Sequence, residues 1–168
     1  MSTNLDHRDE YAVSPARLHA ALCSEQYWTD LVSTVAADVS TLDSFTSDGT
    51  SATVKLQQIV PSDKLPSVVA KIRSGDLVIR RTFTIGPLAD ERATGSFGAE
   101  VDGAKATLSG TITVSGSGER SVLAYNGSAK VGIPLVGGKI EGAIVSNLGK
   151  LLDAENEFTT NWLAANPG

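Results

Sequence analysis

GKIEGAIVSNLGKLLDAENEFTTNWLA, residues 138–164, carries the strongest periodic signal in the chain and points directly to its architecture. Its apolar residues recur at steps of three and four positions, the spacing that places side chains on one stripe of a helix. At roughly 1.5 Å per residue, this helix would be about 40 Å long, enough to cross a whole curved sheet. The residues of the apolar stripe are Ile140, Ile144, Leu148, Leu151, Leu152, Phe158 and Trp162.

Residues 36–131 alternate apolar and polar positions instead, as half-buried strands do. In LVIRRTFTI, residues 77–85, the apolar side chains fall on every second position and so share one face. Asp-Gly pairs at 48–49 and 102–103 have the composition of tight turns between strands. We therefore expect six consecutive strands that form an antiparallel meander.

The start of the chain predicts a seventh strand and two short helices. Residues 5–13, LDHRDEYAV, read as a strand, and helical character follows. Ser14 is a good N-cap and Pro15 suits the first helical position. The residues CSEQ then break the segment, with Ser24 at the start of a second helix.

This order predicts an α+β fold, in which a curved seven-stranded antiparallel sheet grips one long C-terminal helix, in a single domain of residues 1–168. Two stretches carry a resemblance to a known superfamily: YAVSPARLHAALCSEQYW, residues 11–28, and GIPLVGGKIEGAIVSNLGKLLDAENEFTTNWL, residues 132–163. Both resemble the START-like superfamily, also called SRPBCC or birch-pollen-allergen-like, whose fold is the helix-grip fold. The second stretch is most similar to an actinobacterial branch of unknown function. The resemblance spans nearly the whole chain and implies a ligand cavity between helix and sheet, without naming the ligand.

Composition excludes several classes of partner. The chain has 168 residues with 41% hydrophobic residues, 20% charged residues and a net charge of -5. That charge argues against nucleic acid and against anionic membrane surfaces, because both need clustered Lys and Arg. The chain has a single cysteine, Cys23, and an N-terminus without the apolar core of a signal peptide. We expect a cytoplasmic protein, a monomer or weak dimer, without stable membrane insertion.

The glycines before the long helix suggest a phosphate-binding loop at first sight. That motif needs Gly, four residues, and then Gly-Lys-Ser/Thr. Here Gly132 is followed by IPLVGGK, so Lys139 comes one residue late and Ile140 stands in the place of the hydroxyl. Pro134 also removes an amide that a phosphate could use. We expect these glycines to let the helix start close to the sheet, and we expect no nucleotide cofactor.

His7, His19 and Cys23 are the side chains with the most potential for metal or nucleophile chemistry. Two isolated histidines without a matched carboxylate pattern do not predict a metal site. His19 and Cys23 are four residues apart on one helix face, a spacing that permits a thiol–imidazole pair. A buried Cys without chemistry is the commoner arrangement. We therefore assign no metal site and no catalytic residue.

The alternation places four polar residues on the face that would line the cavity: Gln58, Arg81, Tyr125 and Glu155. Arg81 could bind a ligand carboxylate through two hydrogen bonds. It could instead pair with Glu155, or lie beyond a β-bulge that changes the register. Tyr125 could orient a ligand or simply pack in the core. The apolar walls of the predicted site are Leu56, Ile79, Phe83, Phe97, Leu108, Ile112, Leu123, Ile144, Leu148 and Leu152.

Residues 61–75 form a connection longer than a hairpin requires, with Val68, Val69 and Ile72 at helical spacing. Connections of this length in a small domain are often functional, so the segment is a candidate lid. A packed surface excursion explains the same pattern.

The sequence therefore predicts a protein that binds a hydrophobic small molecule, lipid-like or polyketide-like, without a cofactor. One alternative is a cyclase- or hydrolase-like enzyme that uses polar groups of the same cavity, such as Glu155, Tyr125 or His7. No arrangement in the sequence indicates that chemistry, and we expect a binding protein rather than an enzyme. A second alternative is a protein whose core is filled and leaves no ligand cavity, and which acts as a protein-interaction module.

Overall fold

The structure is a computed structural model that describes residues 2–64, 67, 75–102 and 105–167. Its described elements follow the predicted order of one strand, two short helices, six strands and one long helix. The first strand begins and ends two residues before the predicted 5–13, and the long helix extends the predicted 138–164 by one residue at each end. The elements are β1 (Thr3–Tyr11), α1 (Pro15–Leu22), α2 (Glu25–Thr34), β2 (Ser40–Ser47), β3 (Ala52–Val60), a 3₁₀ turn (Ser62–Lys64), β4 (Leu77–Ile85), β5 (Ala93–Val101), β6 (Ala106–Ser117), β7 (Arg120–Val131) and α3 (Gly137–Ala165).

The seven strands form one antiparallel sheet with the order β1-β7-β6-β5-β4-β3-β2. The meander from β2 to β7 is confirmed, and β1 joins its far end beside β7. The two edge strands, β1 and β2, are connected by α1 and α2. Helix α3 contacts β7, β1 and α2. The predicted helix-grip architecture is therefore present.

Two facing glycines mark a place where the sheet backbone comes unusually close to itself. Gly110 of β6 is paired with Gly127 of β7, and a Cβ on Gly110 would lie 2.2 Å from the carbonyl oxygen of Asn126. The ring of Phe97 covers the pair, since a Cβ on Gly127 would lie 2.9 Å from its Cζ atom. Glycine inside a strand permits this approach and lets a sheet bend sharply. Gly110 and Gly127 therefore permit the curvature that the fold requires.

Alternation along the strands separates the core from the solvent. In β3, Ala52, Val54 and Leu56 are buried, whereas Thr53 and Lys55 between them are exposed.

The two short helices at the start of the chain have the predicted N-cap residues, but only one of these caps makes a side-chain hydrogen bond. Ser14 caps α1 through a 3.2 Å hydrogen bond from the amide of Arg17, but Ser24 caps α2 with no side-chain hydrogen bond.

The start of α3 is tied to the sheet by a buried carboxylate in its second turn. Glu141 is 1% exposed, and its Oε1 atom accepts a hydrogen bond from Thr3 Oγ1 at 3.0 Å. Its Oε2 atom accepts from the backbone amide of Val131 at 2.9 Å. Gly137 allows the approach, because a Cβ there would lie 2.8 Å from the carbonyl oxygen of Val131. The helix therefore starts directly against β1 and β7.

The glycines before α3 have a packing role, and the absence of a nucleotide cofactor stays a prediction. The amide of Gly132 donates to the carbonyl oxygen of Lys105 at 2.8 Å, and that of Gly137 donates to Ile133 at 3.0 Å. Amides engaged in this way cannot cradle a phosphate. Between them the chain turns sharply, and the exposed Leu135 has a φ of 73°.

The C-terminal half of α3 is held by side chains from the two short helices. Tyr27 Oη and Thr159 Oγ1 are 2.6 Å apart in the core. Trp162 Nε1 donates to Asp30 Oδ2 at 2.9 Å, and the Arg17 guanidinium donates to the carbonyl oxygen of Leu163 at 2.8 Å. These three ties pack α1 and α2 against the end of the long helix.

The candidate lid cannot be compared with the structure. Val68, Val69 and Ile72 lie outside the described residues. The role of residues 61–75 therefore stays a prediction.

The glycine pair in the sheet leads to a stability prediction. Replacing Gly110 with Ala should lower the free energy of unfolding by about 1–3 kcal/mol, because the added methyl overlaps the backbone of β7. Gly149 in α3 is the matched control, since a Cβ there meets nothing within 4 Å. Gly149→Ala should raise stability by about 0.5–1 kcal/mol through its helix propensity. Urea denaturation followed by circular dichroism measures both. A Gly110→Ala variant as stable as the parent would contradict the close approach.

The buried carboxylate leads to a second stability prediction. Glu141→Ala leaves the amide of Val131 without its acceptor and opens a void, so it should cost about 2–4 kcal/mol. Glu141→Gln should cost about 1 kcal/mol or less, because its carbonyl can still accept from Val131 and its amide can donate to Thr3. Urea denaturation of the two variants compares them. Equal losses would show that the hydrogen bonds do not hold the helix start.

Candidate functional site

Helix α3 is less deeply buried over residues 142–151 than elsewhere on its inner face. Its buried side chains are Ile140 and Glu141 near its start, and then Leu152 at its midpoint, Thr159 and Leu163. Within residues 142–151, no residue of the helix is fully buried. The apolar residues in this interval are only half-buried: Ala143, Ile144, Val145, Leu148 and Leu151. The helix therefore bridges the sheet and leaves space beneath it.

The larger space beneath the helix, called here the inner space, has a volume of about 380 Å³, part of which is open to solvent. Its enclosed part has room for little more than a water molecule in this conformation. Its walls come from the middle strands of the sheet and from α3. The lining residues are Leu56, Arg81, Thr82, Phe83, Phe97, Gly98, Ala99, Leu108, Tyr125, Leu148 and Leu152.

A second space of about 280 Å³, which includes open solvent and encloses room for about one water molecule, lies next to the first, between α2, β3 and α3. Leu56 and Arg81 line both spaces, so they form the partition between them. The remaining lining residues of the second space are Leu31, Val32, Val35, Ser40, Gln57, Gln58, Leu151 and Glu155.

An ion pair between sheet and helix stands at this partition. Arg81 donates two hydrogen bonds to the carboxylate of Glu155, at 2.8 Å and 3.2 Å. The two side chains are 19% and 13% exposed. Burial by itself would lower the pKa of Arg81, but the charge and the hydrogen bonds of Glu155 outweigh it and raise that pKa above its ordinary value. Of the alternatives that the sequence left open for Arg81, the internal pair is the one present in this conformation.

Tyr125 places a hydroxyl group at the inner space. The residue is 7% exposed, and its ring packs edge-on against Phe97, with ring centres 5.4 Å apart, and against His7 at 6.0 Å. Its hydroxyl makes no hydrogen bond to any residue that the structure describes. Burial, together with the negative charge of Glu155, raises the pKa of Tyr125 well above its ordinary value. The phenol is therefore protonated at neutral pH and can donate to a ligand.

The structure brings together most of the residues that the sequence predicted for the site. Leu56, Arg81, Phe83, Phe97, Leu108, Tyr125, Leu148 and Leu152 line the inner space, and Gln58 and Glu155 line the second space.

Four predicted wall residues do not line either space. Ile112 and Leu123 lie in the packed main core, at 0% and 3% exposure. Ile144 belongs to a separate small cluster with Ala106, Val131 and Ile140. Ile79 is half-buried on β4, outside the lining of both spaces. Alternation identifies the inward face correctly, but it does not say how far along the strand the helix lifts away.

Sequence reasoning missed two groups of residues near the site. Val32 and Val35 from α2 line the second space, and their position depends on how α2 packs on the sheet. Glu141 sets the height of the helix start, yet in the sequence it is one acidic residue among several on a long helix. The one available signal was its place within a turn of Gly137 and Gly138, where the helix must meet the sheet.

The thiol–imidazole pair does not have the geometry of a nucleophile. Cys23 Sγ lies 3.8 Å from His19 Nε2, but that nitrogen is also 2.9 Å from the carbonyl oxygen of Gly86. A carbonyl only accepts, so Nε2 carries its hydrogen and has no lone pair for the thiol proton. Burial raises the pKa of Cys23, which further disfavours the thiolate.

Within the described part of the chain, one group of side chains has atoms close enough to share a cation. Possible ligand atoms of His7, Asp9 and Asp153 lie within 4.8 Å of one another. His7 Nε2 is 2.8 Å from Asp9 Oδ1, and Asp153 is largely exposed. Burial raises the pKa of Asp9, while the neighbouring His7 opposes the shift. A hydrogen-bonded pair between a buried Asp and a His explains this group, and the absence of a metal site stays a prediction.

Among the described residues, no helix combines the length and apolar character needed to cross a membrane. The long helix α3 is instead amphipathic, with charged residues along its outer face.

Comparison with solved structures confirms the fold. The crystal structure of TTHA0849 from Thermus thermophilus superposes with a TM-score of 0.57 at 15% identity, over 96% of this chain and 98% of that one. Ara h 8.0201 gives 0.55 at 9% identity, over 96% and 99% of the two chains. Norcoclaurine synthase from Thalictrum flavum gives 0.55 at 15% identity, over 98% and 87%, and this enzyme has also been solved with dopamine and hydroxybenzaldehyde. At these identities the likeness shows the START-like, birch-pollen-allergen-like fold alone.

Comparison of sequences shows the family. An uncharacterised protein from Mycobacterium tuberculosis H37Rv is 34% identical over 176 residues, covering 99% of each chain, and one from Mycobacterium bovis matches equally well. Both come from actinobacteria, in agreement with the resemblance seen in the sequence. The family model described as "Protein of unknown function (DUF2505)" matches residues 6–163. The chain therefore belongs to the DUF2505 family, which has the START-like helix-grip fold.

Proposed function

We propose that this protein binds a hydrophobic small molecule, lipid-like or polyketide-like, in the inner space between the sheet and α3. The observation that carries the proposal is a mainly apolar space that is lined by Tyr125, a largely buried residue whose hydroxyl has no hydrogen-bond partner among the described residues. Small-molecule sites have this composition: apolar walls with a few polar groups that orient the ligand.

The way α3 is held supports a cavity that can widen. Its ends are tied through Glu141 and through Thr159 and Trp162, whereas residues 142–151 include no fully buried one. Few buried contacts in a segment mean a low free-energy cost for local displacement. A ligand that enters would push the middle of the helix outward while both ends stay in place.

Apolar burial is the main driving force for such binding. A ligand that buries about 200 Å² of apolar surface gains about 5 kcal/mol before the costs of association. Proteins of the same fold take up small molecules, as the norcoclaurine synthase solved with dopamine and hydroxybenzaldehyde illustrates.

A cyclase- or hydrolase-like activity has less support from the side chains. General acid–base catalysis needs a group that can exchange a proton with the substrate. Glu155 is held by Arg81, and His7 is hydrogen-bonded to Asp9. Tyr125 remains a donor, because its pKa is raised. These groups favour binding over covalent chemistry.

The filled-core alternative has one observation in its favour. The enclosed part of the inner space is small in this conformation, so the chain folds without needing a ligand to fill it. Native mass spectrometry of freshly expressed protein distinguishes the two functions. Binding predicts a co-purifying small molecule that is lost on denaturation. A protein that carries no co-purifying molecule and also binds no apolar probe would favour the protein-interaction module.

A substitution in α3 tests the location of the site. Leu148→Trp places an indole in the inner space and should weaken binding of the uncharged fluorescent probe N-phenyl-1-naphthylamine by about tenfold or more. Asn147→Trp is the matched control, because Asn147 is exposed on the same helix. Fluorescence titration gives both affinities, and circular dichroism shows that each variant folds. Equal binding by Leu148→Trp and the parent would place the probe elsewhere.

A further inference from the structure

We propose that the ligand is an uncharged molecule whose apolar body carries a hydrogen-bond-accepting oxygen, such as a ketone, ester or alcohol oxygen, held by Tyr125 and Arg81. This inference rests on the proposed function and adds the chemical class of the ligand. It follows from which polar groups reach the inner space and from how their charges balance.

The polar side chains buried at the inner space offer donors. The Tyr125 hydroxyl makes no hydrogen bond within the described residues and stays protonated. A guanidinium has five N–H donors. Arg81 donates one hydrogen bond from Nη1 and one from Nη2, both to the carboxylate of Glu155. The remaining donors of Arg81 are directed to no other described residue. An oxygen that accepts from these groups would give them a hydrogen-bond partner that no described residue supplies.

The charge of the site is already balanced. Glu155 neutralises Arg81 in a partly buried, two-point contact. A ligand carboxylate would have to displace Glu155 or lie beside it, and either arrangement leaves a negative charge without a partner where water is largely excluded. A neutral oxygen meets no such cost. The pair therefore selects against anions and leaves the donors available to an uncharged acceptor.

The position of the pair also defines the approach of the ligand. Arg81 and Leu56 line both spaces, so a molecule in the inner space has its polar end near the partition. The neutral pair thus marks the polar end of the site, and the apolar body lies against the apolar walls, which include Leu148 of α3.

Three naphthalenes of similar shape test the inference on the full chain: 2-ethylnaphthalene, 2-acetonaphthone and 2-naphthoate. Each is titrated at neutral pH against protein loaded with N-phenyl-1-naphthylamine, and its affinity is read from displacement of the probe. Because a ketone is better hydrated than a hydrocarbon, the informative quantity is the ratio of the two affinities in the parent and in a variant. Tyr125→Phe removes only the hydroxyl and should lower the ketone-to-hydrocarbon ratio by about fivefold, leaving the hydrocarbon unchanged.

Glu155→Gln tests the charge balance. It leaves the Arg81 charge without its counter-ion, so affinity for 2-naphthoate should rise by about tenfold or more. Glu157→Gln is the matched control, because it changes the net charge equally at an exposed position of the same helix. The Glu157→Gln variant should bind 2-naphthoate with the same affinity as the parent protein. Thermal unfolding checks that all variants fold.

The outcomes separate this inference from the proposed function. If Tyr125→Phe leaves the ratio of the ketone affinity to the hydrocarbon affinity unchanged, the inference of an acceptor oxygen is overturned. Apolar binding would still stand. Tightest binding of 2-naphthoate by the parent would also overturn it, since the ligand would then be an anion that displaces Glu155. Failure of all three compounds, including the hydrocarbon, to displace a probe or to bind would overturn the proposed function itself.

Discussion

The attachment of α3 at both of its ends governs the shape of the molecule. A straight helix of this length cannot follow a concave sheet over its whole length, and residues 142–151 are the stretch that includes no fully buried residue. The buried carboxylate of Glu141 ties one end to β1 and β7, and Tyr27 and Asp30 hold the other end through Thr159 and Trp162. Without these ties, the apolar middle of the helix would be free to collapse onto the strands.

The sheet supplies the other half of this geometry. The close backbone approach at Gly110 and Gly127 permits the bend, and the ring of Phe97 occupies the space that two side chains would have filled. The same ring contacts Tyr125 and lines the inner space. A residue that supports the bend is therefore also part of the candidate site, which couples the curvature of the sheet to the shape of the space. The Arg81–Glu155 pair spans from this sheet to the helix and gives the space a polar end without a net charge.

The limits of sequence reasoning are visible in individual residues. Alternation placed Leu56, Phe83 and Leu108 on the inward face, and all three line the inner space. The same alternation placed Ile112 and Leu123 there as well, and both are packed in the core instead. Alternation with a period of two identifies which residues of a strand share one face. It carries no information on where along that strand the helix stands away from the sheet. The contribution of α2 to the second space was missed for the same reason, because it depends on how one helix packs against the sheet.

Patterns along the chain were enough to predict the class of fold and the order of the elements, and the superfamily followed from the resemblance of two stretches to known sequences. Fold class and element order depend on local periodicity, capping residues and turn signals, which act over a few neighbouring positions. Three further features emerged only once the chain was folded: the pairing of Arg81 with Glu155, the Tyr125 hydroxyl without a described partner, and the anchoring of the long helix by Glu141. These features join residues that are distant in the chain, or join a side chain to a backbone amide, and their energies depend on burial and distance. The linear sequence specifies neither the burial of these groups nor the distances between them, and both are set when the chain folds.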